Sequence, residues 1–457
     1  MATDTRARRT ARWAFEHVMP MTFLRIAAAR GDLQARVVTA SLANDADTLA
    51  AHLEQARRRG GIVPGRFATL ATSHAAVKQS LTSPDVRVGF PRHESGRTPG
   101  RRAALAQWAA AGHLHPLKAP SLLAVEPPDH TRYRKLLTRV FTVRAVEALR
   151  PRIETIAAGL LDELQARGAD DPTAVVDLVE DYCARLPVIV IAEILGVPPE
   201  QHAKVLRMGS AAAPSLDMGL PWSEFTAVED ALAEFDEWID GHLAHLRAHP
   251  DDTLMSQLLR ASDEEGILDE RELRATAGLV LAAGFETTVN LLGNGIALLH
   301  DHPDQLAVLR ERPDLWPNAV EEVLRVDPPV HLTGRTVTRD TQVAGVALTE
   351  NSMLTAMIGA ANRDPDVFTD PERFDVARPN ARDHLAFSAG RHHCLGAALA
   401  RLEGEIGLRA IHERFPDLAL LPGRVRRTTR VLRGHEHLPA RLGQSTSRVS
   451  ASRASGR

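Results

Sequence analysis

The chain has 457 residues, with 55 lysines and arginines against 58 aspartates and glutamates, so its formal charge is −3. This near-balance gives no overall attraction to nucleic acid or to anionic lipid. Hydrophobic residues make up 44% of the chain, which is enough for a deep core. The two cysteines, Cys183 and Cys394, exclude a disulfide scaffold and a cysteine-rich metal cage, so we expect a globular protein of the cytoplasm.

The two ends of the chain differ from its body. The first 36 residues are rich in arginine, and the apolar stretch from Trp13 to Ala29 is interrupted by polar residues and cannot span a bilayer. We interpret residues 1–50 as an N-terminal extension, and favour its packing on the body over an amphipathic arm that touches a membrane or a partner. Residues 51–443 are expected to form one domain, and the Ser- and Arg-rich residues 444–457 a disordered tail.

Helical patterns dominate from about residue 132 to residue 325. Three helices are predicted at 132–141 with Thr131 as its cap, at 151–165, and at 186–195 before Gly196. Residues 208–224 contain two prolines and two glycines, which predicts a break between helices. Short strands are predicted at 336–338, 342–346 and 353–358, so the fold class is mainly α with a small β component.

Residues 275–299 form an apolar stretch whose only charge is Glu286. Because Glu286 lies among threonines and asparagines in this stretch, we interpret it as a helix that crosses the core rather than a membrane span. The small residues Ala283 and Gly284 would let a flat group approach the backbone, and Thr287 can bond the carbonyl of Ala283. Glu286 and Thr287 would then form an acid–alcohol pair that passes protons. A close helix–helix crossing with a buried glutamate explains the same residues and stays open.

The segment Phe387–Gly396 (FSAGRHHCLG) runs directly into a helical pattern. A cysteine just before a helix N-terminus meets unpaired N–H groups and the positive end of the helix dipole, which stabilise a thiolate. Gly390 and Gly396 permit a tight loop, and Phe387 can cover the sulfur. Haem iron needs a single protein ligand such as Cys394 and keeps its other face open for dioxygen. Cys183, in an apolar helix, is interpreted as a small buried hydrophobe.

The F-x-x-G-x-x-x-C-x-G pattern of this loop, and the chain from about residue 114 to 442, resemble the soluble bacterial cytochrome P450 monooxygenases. Glu322 and Arg325 match the E-x-x-R motif of that family, and Arg373 matches the arginine of its P-E-R-F segment. The resemblance implies the cytochrome P450 fold, in which haem b (iron protoporphyrin IX) lies between the long central helix and the cysteine loop. It also implies that Glu322, Arg325 and Arg373 form a structural triad.

The resemblance also assigns the contacts of the haem. Cys394 would be the iron ligand, and the haem-binding residues would be His130, Arg134, Ala283, Gly284, Arg335, Phe387, Gly390, His392 and Gly396. Among these, His130, Arg134, Arg335 and His392 would bind the propionates. The chain departs from the pattern at Ser388, where many relatives have glycine. A small side chain should be tolerated there, with an effect on the loop or on hydrogen bonding near the sulfur.

The implied function is insertion of one oxygen atom from dioxygen into a hydrophobic small molecule, with Glu286 and Thr287 as catalytic proton donors. Electrons would come from NAD(P)H through a separate ferredoxin and its reductase, because Gly293-Asn294-Gly295 is not a complete dinucleotide-binding motif. Arg391 and nearby basic residues are candidates for the docking patch. No nucleic-acid partner is expected. The segments expected to line the substrate pocket, 90–120, 208–225, 279–287 and 330–333, are largely apolar and suggest a lipid, steroid or polyketide.

Three other functions are compatible with parts of the sequence. The nearest is a haem-thiolate peroxygenase that uses peroxide directly, and the Glu286–Thr287 pair argues against it. A haem-based gas sensor would need an output domain, which the sequence does not show. A metalloenzyme built on His300 and His302, or on His435 and His437, is less favoured because these residues have no carboxylate scaffold.

Overall fold

A computed structural model of the chain describes residues 5–89, 115, 118–170 and 174–443. Its α-helices are α1 (Arg6–Trp13), α2 (Met19–Ala29), α3 (Leu33–Leu42), α4 (Ala46–Arg58), α5 (His74–Thr82), α6 (Asp129–Thr138), α7 (Val143–Glu147), α8 (Arg150–Asp170), α9 (Arg185–Ile194), α10 (His202–Ala212), α11 (Trp222–Ala248), α12 (Leu254–Asp263), α13 (Glu270–Asp301), α14 (Pro303–Glu311), α15 (Trp316–Val326), α16 (Ile358–Ala361) and α17 (Ala397–Arg414). Short π-helical segments lie at Ala14–Val18 and Val179–Cys183.

The strands are short and form small sheets. They are β1 (Ile62–Val63), β2 (Thr69–Ala71), β3 (Val86–Val88), β4 (Val176–Asp177), β5 (Leu332–Val337), β6 (Thr341–Val343), β7 (Val346–Leu348), β8 (Met353–Met357), β9 (Ala419–Leu420), β10 (Val425–Arg426), β11 (His435–His437) and β12 (Pro439–Arg441). The largest sheet has the order β1-β2-β8-β5-β3, with β2 parallel to β8 and the other pairs antiparallel. Its register places Arg335 of β5 opposite Val88 of β3 and Leu354 of β8.

Strands are present at two of the predicted positions, as β5 and β8, but the segment predicted as one strand at 342–346 contains the turn between β6 and β7, where Ala344 and Gly345 have positive φ. The main sheet also takes three strands from residues 62–88 that the sequence analysis did not identify. β2 pairs with β8 across roughly 280 residues, a distance over which periodicity gives no pairing information. Thr131 lies inside α6 rather than at its start, since the helix already begins at Asp129 after Pro128. The break predicted at 208–224 is shorter than expected, because α10 continues to Ala212.

The boundary drawn between residues 50 and 51 does not coincide with a structural boundary, because it falls inside α4. Leu49 and Ala56 of this helix pack with Val63, Leu70 and Leu332 of the main sheet. The helices α3 and α4 therefore belong to the body of the molecule. The tail predicted at 444–457 lies outside the described residues.

Helix α13 is the central element of the fold. It has 32 residues, about 48 Å at 1.5 Å per residue, and begins with a capping box in which Asp269 and Glu272 bond each other's backbone N–H groups. Its length and hydropathy are those of a membrane span, but 67% of the most apolar window is buried inside the protein. Its burial and its polar residues Glu286, Asn290 and Asn294, all buried, make it a core helix, as the sequence predicts.

Candidate active site

The cysteine loop lies immediately before α17, as expected. Cys394 donates its backbone N–H to the carbonyl of Phe387 (2.9 Å), and Gly396 is the N-cap of the helix. Gly390 has φ +68°, and a Cβ there would lie 2.9 Å from the carbonyl oxygen of Leu81, so this position requires glycine. The backbone of the loop is thus hydrogen-bonded to itself and packs closely against α5.

The Cys394 side chain is exposed, and the space it faces is an internal cavity. Enclosure by the surrounding protein raises the pKa of the Cys394 thiol, whereas the backbone N–H of Gly396 and the cations Arg134 and Arg401 lower it. These three groups would stabilise the thiolate that a metal ligand requires. Cys183 is buried among apolar side chains, and burial raises the pKa of its thiol well above the usual range.

The middle of α13 lines the same cavity as Cys394. Ala283 is exposed, although it lies in the middle of a core helix, because it faces the cavity. Its carbonyl accepts a hydrogen bond from the Thr287 hydroxyl (3.1 Å), as predicted. Glu286 is buried and its carboxylate pairs with Arg427 (3.0 Å). Ser210 donates a longer hydrogen bond to the same carboxylate (3.4 Å). Burial raises the pKa of Glu286, and Arg427 opposes this effect.

Gly284 has a packing role that the sequence analysis left as an alternative. A Cβ on Gly284 would lie 2.7 Å from Cγ1 of Ile191, so its small size is needed where α9 crosses α13. Gly284 also lines the cavity. The small residues at 283 and 284 therefore permit the close crossing of the two helices and also keep this part of the cavity open.

A group of basic residues lines one end of the cavity: His130, Arg134, Arg335 and His392. The rings of His130 and His392 lie edge to face, with centroids 4.6 Å apart, and Nε2 of His130 is buried with no hydrogen-bond partner among the residues that the structure describes. Burial, His392 and Arg134 together lower the pKa of His130 to about 4. Such an unpartnered buried nitrogen is expected where a further polar group binds.

Arg335 is buried, and the hydrogen bonds of its guanidinium to described residues go to the Thr333 hydroxyl and the Gly334 carbonyl. Burial and the nearby Arg391 lower the pKa of Arg335 to about 10, against the opposing effect of Glu126. A buried guanidinium without a directly bonded carboxylate fits an anionic group entering the cavity.

Glu126 is a residue of this region that the sequence analysis missed. It pairs with Arg391 (2.7 Å) and with Nε2 of His392 (3.2 Å), and it accepts the N–H of Val88. Burial opposes its ionisation, but His392 and Arg391 outweigh burial and hold the pKa of Glu126 below the usual carboxyl range. Because Arg391 is held by Glu126 and by the carbonyl of Ser83, it anchors the loop, which weakens its interpretation as a docking residue.

The structural triad is formed with a different arginine from the predicted one. Glu322 and Arg325 are fully buried and make a two-pronged ion pair (2.7 and 2.8 Å). The third member is Arg378, whose Nε donates to Glu322 (3.1 Å), whereas the Arg373 side chain is 63% exposed. Arg373 contributes its carbonyl oxygen, which accepts from both Arg325 and Arg378.

Glu403 of α17 is a second missed residue. It lies beside Thr288, lines the cavity, and has no hydrogen-bond partner for either carboxyl oxygen. Burial raises the pKa of Glu403 well above the usual range and so favours its protonated form. Apolar residues on both sides of it in the sequence were the available signal, since they predict a buried helix face.

The cavity has a volume of about 510 Å³ and is mainly apolar. Three of the predicted lining segments contribute to it, through residues such as Gly209, Leu279 and Val330, and His115 is the lining residue from the fourth. Residues 90–114 of that fourth segment lie outside the described residues. The sequence analysis missed the contributions of both ends of the chain, namely Leu24, Gln34, Val38, Phe67, Val431 and Leu432.

The histidines considered for a different metal site are not arranged as ligands. His300 accepts the N–H of Leu420, and His302 contacts the carbonyl of Leu298. His437 pairs with Asp177 (2.6 Å) at the surface. Within the described part of the chain, no group of three or more histidine, cysteine, aspartate or glutamate side chains is placed to hold a metal ion.

Comparison with known proteins gives one consistent result. The family model described as Cytochrome P450 matches residues 314–427. The chain is 50% identical to cytochrome P450 140 of Mycobacterium tuberculosis (strain ATCC 25618 / H37Rv) over 442 residues, 96% of this chain and 98% of the relative. It is 44% identical to the 6-deoxyerythronolide B hydroxylase of Saccharopolyspora erythraea, over 69% of this chain and 76% of the relative. The solved structure of P450BioI with hexadec-9Z-enoic acid ligated acyl carrier protein has a TM-score of 0.75 at 30% identity, covering 86% of this chain and 98% of that chain.

The mainly helical fold, the cysteine loop and the enclosed cavity above it define a haem-thiolate type of enzyme. The chain belongs to the cytochrome P450 family. It is accordingly a monooxygenase, and the family implies haem as its cofactor. The predictions of family and fold are confirmed.

Proposed function

We propose that this monooxygenase hydroxylates a hydrophobic small molecule with electrons drawn from NAD(P)H through a separate ferredoxin and its reductase. The observation that carries the proposal is the cavity itself, in which Cys394 faces the middle of α13 and the remaining walls are mainly apolar. The proposal extends to the roles of individual residues, to the substrate class and to the electron source.

The residues present fit a haem. Cys394 would ligate the iron, and the unpartnered His130, the buried Arg335, Arg134 and His392 would hold the two propionates. When bound, the haem supplies dioxygen activation, which no side chain provides. Gly390 and Gly396 shape the loop around the ligand, and Phe387 lines the same cavity as Cys394.

Glu286 and Thr287 would supply protons on the side of the cavity opposite Cys394. The Thr287 hydroxyl donates its hydrogen bond to the Ala283 carbonyl. The hydroxyl oxygen can therefore still accept a hydrogen bond from a group in the cavity. Glu286 is held by Arg427 and Ser210, so it must change its contacts to pass a proton toward Thr287. Burial raises the pKa of Glu286, so this carboxyl group holds a proton more readily than an ordinary glutamate does.

The apolar walls support a hydrophobic substrate of moderate size, since about 510 Å³ lies within the range of small-molecule sites. One relative is a hydroxylase of 6-deoxyerythronolide B, and P450BioI is solved with a hexadec-9Z-enoic acid ligated acyl carrier protein. A polyketide, lipid or steroid is therefore the class that we propose.

The electron donor would dock beside the cysteine loop. Lys135, Arg139 and Arg144 are exposed on α6 and in α7, close in sequence to Arg134, whose charge acts on Cys394. A small acidic redox protein complements such a cluster of cations. This patch replaces the one predicted around Arg391. A ferredoxin, its reductase and NAD(P)H place the reaction in the cytoplasm.

The test of the chemistry is spectroscopic. The purified, haem-loaded protein is reduced under carbon monoxide, and we expect the red-shifted Soret band that a thiolate ligand produces. Cys394→Ala should lose this band and Cys183→Ala should keep it. An unshifted band in the parent protein would overturn the proposal.

A second assay separates the proposal from the peroxygenase alternative. Product should form with NAD(P)H, ferredoxin and reductase, and its formation should stop when any one of them is omitted. Turnover that needs only added hydrogen peroxide, and is not increased by the redox partners, would support the peroxygenase.

A further inference from the structure

Helix α2 has an unusually apolar outer surface. Val18, Met19, Phe23 and Ile26 are 38%, 44%, 62% and 44% exposed. In the described part of the chain only seven large apolar side chains are exposed, and four of them lie in this short segment. We refer to these four residues as the α2 patch.

The α2 patch is a face of the helix rather than a scatter of residues. Met19, Phe23 and Ile26 follow the i, i+4, i+7 spacing of one helix face, and the opposite face, with Met21 and Leu24, is buried. Arg25 and Arg30 are exposed on the same helix, and the sequence has no acidic residue between 17 and 31. The outer surface therefore combines apolar side chains with positive charge.

This helix forms part of the roof of the cavity. Leu24 lines the cavity together with Phe67 and Met218. The segment just before α2 is tied to the loop that follows α10: Nε1 of Trp13 donates to the carbonyl of Leu220 (2.8 Å), and Nδ1 of His17 accepts the N–H of Gly219 (3.1 Å). The α2 patch thus lies on the outside of the wall whose inside faces the substrate space.

We propose that the α2 patch docks on an anionic lipid surface. A specific protein interface buries roughly 800 Å² on each partner, which four partly exposed side chains cannot supply. A lipid surface requires much less, because a few apolar side chains enter the headgroup boundary and nearby cations are attracted to an anionic leaflet. The net charge of −3 does not prevent this, since charges more than about 10 Å away are screened.

Docking at this position would give substrates dissolved in the bilayer a short path to the roof of the cavity. This consequence rests on the proposed function, whereas the docking itself does not. The docking accounts for the α2 patch, an apolar surface that would otherwise be exposed to water beside the cavity.

The experiment is sedimentation of the full-length, haem-loaded protein with vesicles of phosphatidylcholine alone or mixed with phosphatidylglycerol. We expect binding to the anionic vesicles that weakens with salt, and weaker binding to the neutral ones. The double variant Phe23→Asp/Ile26→Asp should lower the bound fraction about tenfold or more, because it removes two inserted side chains and adds two negative charges.

The matched control is Val143→Asp. Val143 is 76% exposed and also lies near exposed cations, but it is on α7. This variant should bind vesicles like the parent protein. The carbon monoxide spectrum of each variant reports whether the haem pocket is intact, so loss of the enzyme and loss of docking are measured separately.

Two results would overturn the proposal. One is parent protein that stays in solution with both kinds of vesicle, and the other is equal binding by the parent and the double variant. If the double variant instead abolished self-association in size-exclusion chromatography while leaving vesicle binding unchanged, the patch would be an interface between copies of this chain.

Discussion

The two sides of the cavity are built in different ways. The floor is one continuous loop, Phe387–Gly396, which is held by the Arg391–Glu126 ion pair, by the guanidinium of Arg401 over the Phe387 ring and by the start of α17. The roof is assembled from α2, the loop after α10 and residues 430–432, which are far apart in the sequence. Hydrogen bonds of a few side chains join these segments: Trp13 donates to Leu220, and the buried Asp217 accepts the N–H groups of Arg430 and Val431 and pairs with the Arg430 side chain.

This difference indicates which side can move. The floor holds Ser388 at φ +62°, a conformation that costs a non-glycine residue about 1 kcal/mol, and many surrounding contacts keep it there. At Trp13 and His17 the roof stores no comparable strain, and the three hydrogen bonds there to the loop after α10 contribute about 1 kcal/mol each, so this part of the roof is easier to open than the part held by the buried Asp217–Arg430 pair. A fixed ligand loop and an openable roof are what a buried reaction site with entering substrates requires.

The largest expected effect is at the buried Glu322–Arg325–Arg378 cluster, which Asn362 links to Leu385, two residues before the floor. Arg378→Ala removes one charged partner of the fully buried Glu322, leaves the Thr369 carbonyl without that donor, and takes one of two donors from the Asp370 carbonyl. Because Glu322 keeps Arg325, we expect a loss of about 2–3 kcal/mol in the free energy of unfolding, measured by denaturant titration.

The matched control for that variant is Arg373→Ala. The Arg373 side chain is exposed, and its ion pair with Asp375 is long, at 3.9 Å. We therefore expect the free energy of unfolding to change by no more than about 0.5 kcal/mol. Equal losses for the two variants would show that Arg373, the residue predicted from the sequence, carries the triad after all.

The sequence predicted the floor better than the roof for a physical reason. The loop is local, so its glycines, cysteine and following helix could be recognised in ten consecutive residues. The P-E-R-F motif predicts Arg373 and gives no sign of Arg378, because a motif fixes the order of residues but not which side chain turns inward. Leu24 and Val431 were missed in the roof because periodicity shows that a face is buried, not what it is buried against.

The same limit applies to Glu286, whose partner Arg427 is 141 residues away. Arg427→Met should raise the pKa of Glu286 further, because burial would no longer be opposed by a cation. A carboxyl group that stays protonated cannot relay protons, so we expect product formed per NAD(P)H to fall roughly tenfold at neutral pH and to recover as pH rises.

The control for this effect is Arg427→Lys, which keeps a positive charge near Glu286 and should restore most of the yield. Haem content and the carbon monoxide spectrum should be unchanged in both variants, since Arg427 does not line the basic end of the cavity. An identical pH profile for Arg427→Met and the parent would argue that Glu286 is not the proton source.

A smaller effect is expected at the strained position of the floor. Ser388→Gly should stabilise the protein by about 1 kcal/mol, because it relieves the positive φ and removes a buried hydroxyl that has no hydrogen-bond partner. Ser388→Ala removes the hydroxyl but keeps the strain, so thermal unfolding of the two variants separates these contributions. If alanine stabilises as much as glycine, the strain is not significant.

The smallest expected effect is a pH dependence of the roof. Burial lowers the pKa of His17 below its usual value near 6.5, with Glu16 opposing and Lys118 adding to the shift, so the ring is neutral at pH 7. Its Nδ1 accepts the N–H groups of Gly219 and Leu220, and protonation would remove that acceptor. The stabilisation from these bonds is therefore present at neutral pH and declines as pH falls from 6.5 through the lowered pKa of His17.

The measurement is amide hydrogen exchange, corrected for the intrinsic effect of pH. The amide groups of Gly219 and Leu220 should be a few-fold less protected at pH 5 than at pH 7.5. In His17→Asn, whose side-chain oxygen accepts hydrogen bonds at any pH, protection should not change over that range, and a decline as large as in the parent would place the sensitive group elsewhere in the roof.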